Sequence, residues 1–171
     1  MNSLRVRGHQ AGFTFVELVV TLALIGVVAV VSLPLYEVTS TRMREAQLRE
    51  ALRTIRAGLD AYKAAVDAGT LPKAAGDSGY PASLEQLTDP LEPAGKQESS
   101  FGMAEPSRRV VILRRLPRDP FFPNADVPAA QTWNTRSYGS RSDDPQAGDD
   151  VFDVASTSTR IGLDGTPYRS W

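Results

Sequence analysis

The sequence predicts an α+β protein in which one long N-terminal helix packs on a small antiparallel sheet, with a loop-rich C-terminal region. Three observations carry this prediction. Residues 13–36 are almost wholly apolar, the stretch after them keeps a helical repeat of apolar residues, and from Thr70 the composition turns to Pro, Gly, Ser and Asp around two short β-branched and aromatic segments. The implied divisions are a polar leader over 1–12, a membrane helix over 13–36, an amphipathic helix over 37–68 and a small α+β region over 69–171.

The chain has 171 residues, room for one domain and a small extension. Its mean hydropathy is slightly negative despite the apolar run, so the remainder is markedly polar. Formal charge is −1, and loss of a leader carrying Arg5 and Arg7 would make the rest more acidic, which argues against a general nucleic-acid binder. There is no cysteine, so disulfides, thiol nucleophiles and thiolate metal sites are excluded together.

In the leader, "MNSLRVRGHQAG", Arg5, Arg7 and His9 precede the apolar run, and positive residues hold that end in the cytoplasm. The run itself, "FTFVELVVTLALIGVVAVVSLPLY", would give about 36 Å of helix at about 1.5 Å per residue. That spans a hydrocarbon core of about 30 Å. A secretory signal would have a shorter apolar region followed by a small-x-small cleavage site. Here the break, Gly12 to Phe13, comes before the apolar residues.

Glu17 stands within that run, where a carboxylate costs on the order of 3 kcal/mol. Read alone, it is either an acid close enough to the interface to reach water or one with a partner. Gly12, then Phe13, then an acid at the fifth residue counted from Phe13, then unbroken Val, Leu and Ile, resembles the type III signal of type IV pilins and pseudopilins. The resemblance implies cleavage after Gly12 by prepilin peptidase, N-methylation of Phe13, and a pairing of Glu17 with the Phe13 amine of a neighbouring subunit. It also fits Gly26 and Pro34, at places where helix-weakening residues recur in that family. Proline removes a backbone donor and clashes with the carbonyl of Val30, and Gly26 lowers helix propensity by about 1 kcal/mol relative to Ala. The stretch between them is expected to loosen or extend on assembly, the alternative being a simple kinked anchor.

Beyond Tyr36, Leu48, Leu52, Ile55, Leu59, Tyr62 and Val66 form one apolar stripe. Arg42, Arg44, Glu45, Arg49, Glu50, Arg53 and Arg56 are expected on the other, solvated faces, with Glu45 and Arg49 in the favourable i,i+4 order. Gly69 and Pro72 mark the stop, so residues 13 to about 67 form one helix.

Further on, Ser83 with Gln86 gives a capping-box signature for a short helix. Residues 89–107 read as a variable surface loop. "RRVVILRRLPRDPF" is ambiguous between helix and strand, while "TWNTRSYGS" and "DVFDVAS" read as antiparallel strands lying against the apolar stripe.

"LPRDPF", the Trp-to-Tyr strand, "VFDVAS", "GLDGTPY" and the terminal "SW" resemble the G-type major pseudopilin of type II secretion, in a divergent subgroup. Absence of Cys agrees, since many adhesive type IV pilins close this region with a disulfide. The resemblance implies calcium in the C-terminal loop, here "STSTRIGLDG". Asp164 matches one acid of that pattern, an acid expected near Thr159 is missing, and Arg160 adds positive charge. Asp164-Gly165 reads equally as a turn. "DDPQAGDD", with Asp143, Asp144, Asp149 and Asp150, reads as a solvated turn, and no EF-hand spacing is present.

An enzyme reading finds little support. The single histidine, His9, lies in the leader, and no GxSxG, P-loop or dinucleotide fingerprint occurs. The resemblance implies a structural subunit of a type II secretion pseudopilus, single-pass in the bacterial inner membrane with its C-terminal domain periplasmic. Its implied partners are copies of itself, minor pseudopilins, the inner-membrane assembly platform and prepilin peptidase, with no nucleic acid. The alternative is a type IV pilus subunit for adhesion, motility or DNA uptake.

Overall fold

A computed structural model describes residues 12–94 and 109–171. Most of the leader and most of the predicted loop at 89–107 lie outside the described residues. The chain divides into two compact units, Met1–Thr41 and Arg42–Trp171.

Helix α1 runs over Phe15–Asp67, 53 residues, as the continuous apolar and then amphipathic pattern predicts. It starts at Thr14, whose hydroxyl accepts the backbone N–H of Glu17 at 3.2 Å and whose carbonyl accepts that of Leu18 at 3.2 Å. A side-chain oxygen so placed satisfies a donor that the first helical turn leaves open. The helix ends where Gly69 takes φ of +71° and the N–H of Thr70 bonds back to the carbonyl of Ala65 at 2.8 Å. Glycine enters that left-handed conformation without a Cβ penalty.

In the first unit, the apolar half of α1 is long and apolar enough to cross a membrane, and none of that window is buried within the chain. Its hydroxyls are internally satisfied: Thr21 donates to the carbonyl of Leu18 at 2.9 Å and Ser32 to that of Val28 at 2.8 Å. Neither of these two hydroxyls is thereby left without an acceptor in hydrocarbon.

In the second unit, Leu48, Leu52, Ile55 and Leu59 of α1 are buried together with Leu84, Leu87, Trp133, Val151, Val154 and Tyr168. The apolar stripe is thus the core face, with Val66 also buried and Tyr62 half-buried against the cluster. Strands β1 (Trp133–Arg136) and β2 (Asp153–Ser156) pair antiparallel, with Trp133 opposite Ser156 and Arg136 opposite Asp153. Their place against the stripe follows the prediction. Long helix and small sheet together make the pilin-like α+β fold that the sequence predicts.

Three local expectations are corrected. Glu45 does not lie on a solvated face paired with Arg49: it is 4% exposed and bonds to the far C-terminal turn, because two donors there reach it. Ser83 precedes only a four-residue 3-10 helix, Leu84–Leu87, and makes no side-chain cap; Gln86 accepts instead from the N–H of Ala82 at 3.0 Å. The tighter 3-10 turn places the donors differently from an α-helix. The segment from Arg109 is neither helix nor strand. Val110 exchanges backbone bonds with Leu91 at 2.9 Å each, and Leu113 donates to the carbonyl of Leu87 at 2.7 Å, so the backbone is satisfied by an isolated bridge and one loop contact. Leu113 also packs beside Gly58, where an added Cβ would lie 3.0 Å from it.

Candidate processing and assembly site

The first turn of α1 holds the residues that the sequence singles out. Gly12 and Phe13 precede the helix and are exposed, Phe13 by 78%. Glu17 is the acid of the first turn and is also exposed. It lies four positions after Phe13, with three residues between them. Among the described residues its carboxylate has no hydrogen bond or ion pair, the bond at this position being made by its backbone N–H. Thr14-Phe15-Val16-Glu17 also has S/T-x-x-E spacing, a helix-start signal legible in the sequence beside the charge of Glu17. The Thr14 hydroxyl caps the N–H of Glu17, the first half of a capping box, while among the described residues the reciprocal bond from the Thr14 N–H to the carboxylate is not made, so the acid can favour the positive end of the helix dipole or meet a charge from outside.

Gly26 and Pro34 lie inside α1, and the stretch between them is helical in the single chain. Pro34 contributes no N–H to the ladder.

In the second unit, Asp164 sits on the C-terminal turn. Its Oδ1 accepts both the N–H of Thr166 at 2.9 Å and the Thr166 hydroxyl at 2.7 Å, and its Oδ2 faces Arg49 at 3.5 Å. The Thr166 bonds, with the Arg49 charge beside them, hold its carboxyl below the usual carboxylate range. Calcium takes six to eight oxygen ligands. Here one carboxylate, already engaged and facing a guanidinium, is the acid of the turn, and among the described residues no group of three or more His, Cys, Asp or Glu could hold a metal. The donor set does not fit that ion.

Three of the four "DDPQAGDD" acids are also engaged separately. Asp143 pairs with Arg141 at 2.9 Å, Asp144 accepts from Gln146 at 2.8 Å, and Asp150 accepts the hydroxyl of Ser137 at 2.6 Å and the N–H of Tyr138 at 2.9 Å.

Asp119, in "LPRDPF", carries more of the architecture than its sequence suggested. It is 2% exposed, accepts the Ser156 hydroxyl at 2.5 Å and the Phe121 N–H at 2.8 Å, and donates its own N–H to the Thr132 hydroxyl at 3.2 Å. It ties the loop before β1 to the end of β2. The Trp133 indole N–H, bonded to the carbonyl of Pro117 at 3.0 Å, fixes the same loop.

Residues 7–33 match the family model described as the prokaryotic N-terminal methylation motif. That motif is typical of type IV pilin-like proteins and pseudopilins. No curated protein and no solved structure matches the chain.

Proposed function

We propose that this chain is a type IV pilin-like fibre subunit, cleaved after Gly12 by prepilin peptidase, methylated on Phe13 and held in the bacterial inner membrane by residues 13–36. Its role is structural, and its globular unit lies on the periplasmic side. The observation that carries this reading is Glu17: a carboxylate four residues from Phe13, at the head of an apolar helix, inside a matched methylation motif. Isolated in hydrocarbon it costs on the order of 3 kcal/mol. A cationic terminus from a neighbouring copy would neutralise it. Each subunit offers one acid and, after cleavage, one amine, so the pairing repeats along a homopolymer without an odd charge left inside.

Within that class we place the chain as the major pseudopilin of a type II secretion system. There it would grow as a periplasmic fibre together with minor pseudopilins, on an inner-membrane assembly platform, to drive folded proteins across the outer membrane. The absence of cysteine and the "LPRDPF", "GLDGTPY" and terminal "SW" segments favour this over a surface pilus subunit. Stretch 26–34 would extend during assembly, where Pro34 and Gly26 make the ladder weakest.

Mass spectrometry of the protein purified from membranes tests the class: a chain beginning at N-methylated Phe13 is expected, and a chain retaining residues 1–12 contradicts it. A deletion strain tests the system, with loss of secreted proteins expected; loss of twitching with secretion intact points to the surface pilus.

A further inference from the structure

We infer that the C-terminal turn of this chain is locked to α1 by a clasp of side chains that does the work of a metal ion, so that the unit Arg42–Trp171 folds and keeps its shape without calcium. Three turns of the helix supply the clasp. Glu45 comes first: its Oε1 accepts the Leu163 N–H at 2.7 Å and the Tyr168 hydroxyl at 2.9 Å. Next, Arg49 reaches Asp164 at 3.5 Å and lies 4.2 Å over the ring of Trp171. Finally, Arg56 donates to Asp153 at 2.8 Å, to the carbonyl of Val154 at 3.1 Å and to that of Trp171 at 2.7 Å. Strand, turn and terminal segment are therefore all gripped from one helix face.

The turn also leaves a cation little to bind. Three of its carbonyls are already acceptors: that of Arg160 takes the Tyr168 N–H at 3.1 Å, that of Gly162 the Gly165 N–H at 3.0 Å, and that of Thr166 the Gly162 N–H at 2.8 Å. Both oxygens of Asp164 are engaged, one by Thr166 and one by a guanidinium whose charge repels a divalent cation. Meanwhile Glu45 supplies what a cation would supply, a charged centre to which separate backbone and side-chain dipoles are drawn in a site shielded from water. The clasp lies wholly within the globular unit and does not depend on the fibre reading.

The test uses the full chain in detergent micelles, with hydrogen exchange read segment by segment and thermal midpoints taken in millimolar calcium chloride and in EGTA. Wild type should show the same midpoint in both. In Glu45→Ala, exchange at the Leu163 amide should accelerate about tenfold, as expected for loss of one charge-assisted hydrogen bond, while the β1 and β2 amides keep their protection. Should Glu45→Ala fail to fold, Arg49→Ala, at a half-exposed position, should still loosen residues 160–171. A calcium-dependent rise in the wild-type midpoint that Asp164→Asn abolishes would overturn the inference. So would unchanged exchange over 160–171 in both Glu45→Ala and Arg49→Ala.

Discussion

Tyr168 and Glu45 meet through a single buried hydroxyl, and burial together with that contact sets the titration of the phenol. Burial away from water comes first, the Glu45 bond and its charge second, and together they push Tyr168 up to about 12. A raised value in the folded state means the neutral phenol is favoured there, so its stabilisation is fully present below pH 10 and is lost as pH rises from about 10 to about 12. Two units correspond to about 3 kcal/mol at most. Alkaline unfolding followed by circular dichroism should show this loss in wild type, and Tyr168→Phe should flatten it. At neutral pH the same substitution removes one hydrogen bond to an acid that keeps its Leu163 partner, at a cost of about 1–2 kcal/mol in denaturant titration. Asp119 gives a second case. Ser156→Ala strips a donor from a carboxylate that is 2% exposed and should cost about 1–3 kcal/mol, with the denaturant midpoint as readout.

At the level of elements, the amphipathic half of α1 holds the core, and Ile55→Ala, at a fully buried position, should destabilise the globular unit by about 2–5 kcal/mol. The C-terminal turn is tight in a different way. A Cβ at Gly162 would lie 2.8 Å from the Trp171 ring and 3.0 Å from that of Tyr168, so Gly162→Ala should lower the thermal midpoint by forcing two packed rings apart. These elements were unequally legible. The stripe from Leu48 to Val66 declares itself because one face of a helix repeats every three to four residues, and the strands at Trp133 and Asp153 because β-branched and aromatic residues stand between turn formers. Glu45 could not be read this way. Spacing offered Arg49 as its partner, whereas the donors that bury it stand more than a hundred residues away, where no local pattern reaches. Arg109 to Leu116 is ambiguous for the opposite reason: Ile112, Leu113 and Leu116 are half-buried against the core while Val111 is exposed, so the segment shows neither period. The Thr14 cap is legible in the S/T-x-x-E spacing of residues 14–17.

For the whole molecule, a helix long and apolar enough to cross a membrane, with Thr21 and Ser32 bonded to its own carbonyls, continues into a globular unit that carries its own core and its own clasp. Among the described residues the Glu17 carboxylate has no partner, and an acid in hydrocarbon calls for a positive charge from another molecule. In the proposed fibre, the amine of a neighbouring copy would supply it. The first turn is capped by Thr14 with or without that charge, so replacing Glu17 tests the pairing rather than the helix. The direct measurement is fibre yield from cells expressing Glu17→Gln in place of wild type, with membrane insertion and the mass of the Phe13 terminus followed alongside. The account predicts a chain that inserts and is processed yet yields few fibres or none. Fibres from Glu17→Gln in wild-type amounts would contradict it.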